Sequence, residues 1–257
     1  MAEIRESFRC GDLNIRLFEE KTAMGQAAAV YAADAIVEAI RVKGKARVTF
    51  ATGASQFAFL DALTQQDIPW NQVEVFHLDD YVGLPEDHPA SFKRYLRERL
   101  LDKTKPGKVH FLNGNAPSLT DECERYSALL MEDDIDLACI GIGENGHLAF
   151  NDPHAADFSD AAIVKAVSMD EPCRRQQFGE GWFASLDDVP KMGLTQTIPA
   201  IMRSLKISCF VPDQRKAEAV KNALQGPISR SCPASILRQH PNAVLWLDSL
   251  AASFLDK

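Results

Sequence analysis

The six cysteines (Cys10, Cys123, Cys139, Cys173, Cys209 and Cys232) include no C-x-x-C pair and no Cys/His spacing of a metal site. A structural zinc site and a redox dithiol are therefore not written into this chain. Basic charge is also short, with 28 Lys and Arg against 36 Asp and Glu, for a net charge of −8. Without a basic surplus to neutralise phosphates, nucleic acid and anionic membrane are excluded as main partners. A small anion held by one local basic cluster is not. No apolar run approaches transmembrane length. The opening "MAEIRESFRC" is charged throughout and does not read as a secretory leader. Cys139 and Cys209 lie in apolar runs, as free buried thiols do. A cytoplasmic protein with reduced thiols is the expectation. Repeats and low-complexity linkers are missing too, so residues 1–257 read as one domain.

What is present is an alternation of short apolar runs and helical stretches. "NIRLFE" (14–19), "ARVTFATG" (46–53), "VEVFHLDD" (73–80), "IDLACIGIG" (135–143), "LKISCFVP" (205–212) and "AVLWLD" (243–248) read as strands. Helices are predicted over 24–44, 55–65, 91–101 with Ser91 as N-cap, 121–132, 213–226 and 232–240. Strands apolar at nearly every position, separated by helices, predict a doubly wound, Rossmann-like α/β fold. Its sheet is mostly parallel with helices on both faces. Residues 153–191 fit this rhythm least and are expected to form a flap.

Ligands in such a sheet bind beyond the carboxyl ends of the strands. One strand end carries "GIGENGHLAF", whose first six residues spell the G-x-G-x-x-G of a dinucleotide loop. That loop needs a long helix from its third glycine, with an acidic residue about 20 positions on. Here "HLAFNDP" reaches Asn-Asp-Pro within seven residues, which ends any helix early. NAD binding is set aside. His147, between Asn145 and Asp152, then reads either as a turn histidine or as a proton shuttle oriented by a carboxylate. Asp79 and Asp80, side by side at another strand end, read as a turn or as a base with a raised pKa. No further Asp/His cluster completes a metal site around them.

Together "LDDYVGLPEDHPASF" and "GIGENGHLAFNDP" resemble the glucosamine-6-phosphate deaminase/isomerase family. The likeness continues through "VHFLNGNAP", "VPKMGLTQTI" and the "RKAEAV" helix start, in order along nearly the whole chain. The resemblance implies conversion of glucosamine 6-phosphate and water to fructose 6-phosphate and ammonia, without a cofactor or metal. It assigns proton transfer to Asp79, with Asp80 in support. It assigns ring opening to His147, flanked by Asn145 and Asp152 where the family often has Asp and Glu. The substituted Asn145 cannot accept a proton, and Asp152 is one methylene shorter than Glu.

The substrate phosphate has candidates of its own. "ATGASQ" turns backbone N–H groups of Gly53, Ala54 and Ser55 toward any bound anion, or else is a tight turn capped by Ser55. Lys216 matches a family lysine that contacts phosphate. The family also sends an arginine from its flap, for which "CRRQQ" offers Arg174, with Arg175 as the alternative. The implied partner is a small sugar phosphate, and the reading leaves room for a homo-oligomer. Rival readings are a galactosamine-6-phosphate deaminase, a 6-phosphogluconolactonase and a sugar-phosphate sensor without turnover.

Overall fold

The structure, a computed structural model, describes residues 4–256. Its strands are β1 (Glu6–Cys10), β2 (Leu13–Phe18), β3 (Ala46–Phe50), β4 (Val73–His77), β5 (Asp79–Tyr81) and β6 (Lys108–His110). They continue with β7 (Leu137–Ile140), β8 (Val164–Ser168), β9 (Met192–Gln196), β10 (Ile207–Val211) and β11 (Ala243–Asp248). An 8-stranded sheet runs β1-β2-β11-β10-β7-β3-β4-β6, and a 3-stranded sheet runs β5-β9-β8. Every neighbouring pair in the large sheet is parallel except β1–β2. The small sheet is antiparallel.

Helices α1 (Lys21–Lys43), α2 (Phe57–Leu63), α3 (Phe92–Leu96), α4 (Asp102–Thr104), α5 (Leu119–Met131), α6 (Glu171–Gly179), α7 (Ile198–Met202) and α8 (Ala217–Gln225) surround these sheets. The period-2 alternation of β7 shows how both faces are covered. Ala138 and Ile140 join α7 and α8 residues in one core cluster, while Leu137 and Cys139 join α1 and α2 in the other. The fold is therefore the doubly wound α/β arrangement that unbroken apolar strands require. No helix among the described residues is long and apolar enough to cross a membrane.

Local signals account for several boundaries. Ser91 accepts a hydrogen bond from the Arg94 N–H and caps α3, as its position predicts. Gly44, at φ 77°, ends α1 by donating its N–H to the Ile40 carbonyl. Residues 232–240 differ from expectation in type, since Pro233–Gln239 wind as a 3₁₀ helix. A larger difference lies in 73–80, expected as one strand. The Leu78 N–H donates to the Phe50 carbonyl in the large sheet, and its carbonyl accepts from the Gln196 N–H of the small one. The chain changes sheets at that residue, so β4 and β5 are separate strands. Residues 153–191 are more regular than expected, because they supply β8 and α6.

One buried charge ties strand to helix. Arg47 in β3 is 1% exposed, and its guanidinium donates to the carbonyls of Leu129, Leu130 and Asp133 at the end of α5. The same group lies over the Phe76 ring at 4.6 Å and contacts Glu74 at 3.4 Å. A cation suits a helix C-terminus, where unpaired carbonyls carry partial negative charge. Arg47→Ala leaves those carbonyls buried and unsatisfied, and should cost about 3 kcal/mol of stability. Urea unfolding should show a lower midpoint with an unchanged slope; an unmoved midpoint would mean that water replaces the guanidinium without loss.

Candidate active site

Strand order places the loops after β3, β7 and β10 side by side at the carboxyl edge of the large sheet. With the start of β5 and one side of α6 they line a cleft. Thr52, Gly53 and Ser55, Asp79, Gly141 to Gly143, His147 and Lys216 line it, with Gln176, Gln177 and Glu180 from α6 and its end. Five of the ten candidates named from sequence, Asp79, His147, Gly53, Ser55 and Lys216, thus share one cavity.

Asp79 is buried, and its Oδ1 has no hydrogen-bond partner. Burial, with the Asp80 carboxylate as a second influence, pushes its carboxyl up to about 8. Asp80 points away from the cleft lining, accepting from the Gly114 N–H at 3.2 Å and contacting Lys93 Nζ at 3.5 Å. Burial raises Asp80 to about 6, against the pull of Lys93 and the Gly114 amide. Lys93 is itself buried and also bonds Glu86 and Asn113. The adjacent carboxyls therefore have different surroundings, one empty and one hydrogen-bonded.

His147 Nδ1 lies 2.9 Å from Asp152 Oδ1, close, though the ring N–H does not point along the contact. Asp152 is fully buried. Burial is the largest influence on it and raises its pKa. The His147 contact, the Asn145 amide and the Asp170 N–H together outweigh burial and hold the carboxyl below its ordinary value. The Asn145 Nδ2 donates to Asp152 Oδ1 at 3.0 Å and to both oxygens of Asp170, at 3.4 and 3.3 Å. Its Oδ1 accepts from the His147 N–H at 3.0 Å. Asn145 thus folds the turn and joins two carboxylates by donating.

The three glycines of "GIGENG" have reasons unrelated to a dinucleotide. A Cβ on Gly141 would meet Gln56 Nε2 at 2.9 Å, and one on Gly143 would lie 2.2 Å from the His147 ring. Gly146 adopts φ +84° with Cys232 Sγ 2.7 Å from where its Cβ would stand. The spacing makes room for an imidazole and a tight turn.

Around the loop after β3, Gly53 has φ +117° and the Thr52 hydroxyl is buried without a partner. Ser55 is not the cap of a helix; its hydroxyl accepts from Gln56 Nε2. Lys216 is 5% exposed, and among the described residues its ammonium has no hydrogen-bond or ion-pair partner. Burial lowers its pKa, opposed by Glu144 and Glu180.

The two flap arginines stand away from the cleft. Arg174 turns away from the cleft and donates to the carbonyls of Val189 and Leu186, and Arg175 pairs with Glu171 on the surface. The helix turns Gln176, Gln177 and Glu180 to the cleft instead. These three went unnoticed in the sequence because no helix is predicted over 171–179. Gln177 is anchored by the Tyr81 hydroxyl at 2.7 Å.

Two trios offer metal-ligating atoms within 4.8 Å: His147, Asp152 and Cys173, and Asp152, His154 and Asp170. In the first, burial and the neighbouring carboxylates raise Cys173 well above its usual range, so the thiol stays protonated. In the second, Asp152 and Asp170 already accept from Asn145 and from backbone N–H groups.

The profile of the family described as glucosamine-6-phosphate isomerases/6-phosphogluconolactonase matches residues 19–246. The chain belongs to this family. It is 36% identical over 215 residues to a glucosamine-6-phosphate deaminase of Streptococcus equi subsp. equi, covering 83% of this chain and 89% of the relative. A deaminase of the same name from Rhodopirellula baltica is 35% identical over 239 residues, covering 90% and 93%. Among solved structures, a monomeric glucosamine-6-phosphate deaminase superposes with TM-score 0.85 at 32% identity, over 93% of this chain and 98% of that one. A 6-phosphogluconolactonase from Shewanella baltica superposes with TM-score 0.76 over 95% and 99%, at 20% identity, a likeness of fold alone.

Within this family fold the tightest constraint at the cleft is the Gly143–His147 contact. Gly143→Ala should force the imidazole to move by about 1 Å to reach ordinary contact, and should cost about 1–3 kcal/mol by overpacking. Proton NMR of the imidazole and a thermal melt would read both effects. A ring resonance and a melting temperature like those of the parent would show that the loop backbone yields instead.

Proposed function

We propose that the protein is a glucosamine-6-phosphate deaminase, releasing fructose 6-phosphate and ammonia. The observation that carries this reading is that Asp79, raised to about 8, shares one cleft with His147 and a partnerless Lys216. The deaminases at 35–36% identity over most of the chain support the same reaction.

The chemistry divides among these groups. His147, with Nδ1 turned to Asp152, has Nε2 left to carry the proton from the sugar O1 to O5, which opens the ring. Asp79 as carboxylate takes the proton from C2 while the substrate's ammonium gives one to O1, which yields an enolamine, and Asp79 then returns its proton to C1. The resulting C2 iminium adds water and expels ammonia, leaving the ketose. A carboxylate suits this shuttle because one oxygen can face two adjacent carbons. Asp80 and Lys93 act from behind, setting the charge that Asp79 feels. Lys216, Thr52 and the N–H groups of Gly53 to Ser55 are the phosphate contacts in this reading. The partner is a small sugar phosphate, and the chemistry described needs no cofactor.

Incubation with glucosamine 6-phosphate and an ammonia assay test the reaction. Asp79→Asn should lower kcat by about 10² or more, since it removes the base while keeping its shape. Ammonia release near the parent rate would move the proton transfer elsewhere.

The raised carboxyl also has a pH signature. The base works when ionised, so kcat/KM should climb as pH passes about 8. Asp80→Asn removes the neighbouring negative charge and should carry that limb to lower pH. For stability the sign is opposite. The folded state keeps a proton on Asp79 that the unfolded chain loses near pH 4, so this group weakens the fold as pH rises toward about 8. A limb that stays in place in Asp80→Asn would show that the two carboxyls do not share their charge.

A further inference from the structure

The carboxylate of Glu180 lies where an anion bound at the loop after β3 would sit. Its Oε2 accepts from the Ala54 N–H at 3.5 Å, the one hydrogen bond that this carboxylate makes among the described residues. Both of its oxygens lie 4.0 Å from where a Cβ on Gly53 would stand. The loop beneath is braced, since the Tyr95 hydroxyl donates to the Gly53 carbonyl at 2.9 Å. Lys216, buried and unpartnered, faces the same cleft, and Glu180 is among the charges that raise its pKa.

Nothing in α6 itself asks for an acid at this position. Glu180 is the C-cap residue, at the end of the helix where a negative charge is disfavoured. Its surroundings give it freedom to leave. Gly179 on one side has open space at its Cβ position, and Gly181 on the other has φ +84°. Two arginines stand on the same helix, yet neither faces the loop.

We propose that Glu180 is a specificity-determining residue that occupies the anion seat in the unliganded protein and competes with the substrate's phosphate for it. The inference rests on the deaminase reading for the name of the substrate, but its physical content is the contest between two anions. Phosphate and the Glu180 carboxylate cannot share the Ala54 N–H, and like charges brought together in a partly buried cleft repel strongly. Binding therefore requires the end of α6 to swing its carboxylate away. The competition lowers affinity for the phosphorylated end and leaves the reacting carbons untouched, so it acts on KM and not on kcat.

The test is Glu180→Gln, which keeps shape and hydrogen-bonding capacity but removes the charge. Inorganic phosphate binding, followed by titration calorimetry, should tighten about tenfold or more, and KM for glucosamine 6-phosphate should fall in parallel with kcat held within about twofold. Glu171→Gln, on the exposed side of the same helix, should change neither. Unchanged or weaker phosphate binding in Glu180→Gln, with an unaltered circular dichroism spectrum, overturns the inference. Because calorimetry reads phosphate without turnover, the two readings fail separately. Ammonia release with unchanged phosphate binding sinks the role of Glu180 alone. Tighter phosphate binding in a protein that releases no ammonia sinks deamination and leaves the role of Glu180 standing.

Discussion

The peptide groups on either side of Leu78 belong to two sheets at once, and the placement of the site follows from that. Its N–H is committed to Phe50 in the parallel sheet and its carbonyl to Gln196 in the antiparallel one. The next residue is Asp79. A side chain one position past this junction must face the space between the two sheets, where the loops after β3 and β7 also arrive. The Gln196 side chain reinforces the junction by donating to the Thr49 hydroxyl and the His77 carbonyl. A carboxyl held by so many backbone bonds cannot retreat to solvent, so its desolvation is built in and not relieved by motion.

Six of the eight strands of the large sheet were legible as mostly apolar runs bracketed by helices with recognisable ends, whereas the edge strands β1 and β6, exposed or half-buried, were not. Ser91 and Gly44 mark such ends by local chemistry alone. The small sheet was not legible. Residues 73–80 keep one pattern through the sheet change, since both halves are buried, and buried strands carry no period that could register a change of partner. The strand β8 has mixed burial, and its partner β9 is a short buried run with no alternation to mark it. In both cases the pairing is set by tertiary contacts distant in sequence, which propensity cannot report.

The candidate site divides along the same line. Asp79, His147 and Lys216 fall at or in the loops after strands, which parallel topology brings together, while Asp152 and the phosphate role of Lys216 were implied by the family resemblance. Which arginine would enter from α6 could not be named, because that depends on how the helix is rotated. Tyr81, Phe92, Phe150 and Phe183 pack with Cys173 beneath it, and Asp170 caps its first turn. With that face fixed, the helical period of 3.6 residues sends Arg174 toward the 186–189 turn and the glutamines toward the cleft.

The asparagine in "GENGH" follows from the same docking of α6. An acid at position 145 would stand within hydrogen-bonding distance of Asp152 and Asp170, gathering three carboxylates where two now stand. The amide reverses the sign of that interaction by donating to both. It leaves its own oxygen for the His147 N–H, so the turn that presents the imidazole is the same turn that joins the two acids. Asp170 in turn caps α6 through the Cys173 N–H. The orientation of His147 and the seating of the helix that carries Gln176, Gln177 and Glu180 are thus linked through the Asn145 amide, and again through Gln176, whose Oε1 accepts from the Glu144 N–H at 2.8 Å. The turn and the helix therefore share one hydrogen-bonded network, in which each bond supports the placement of the others.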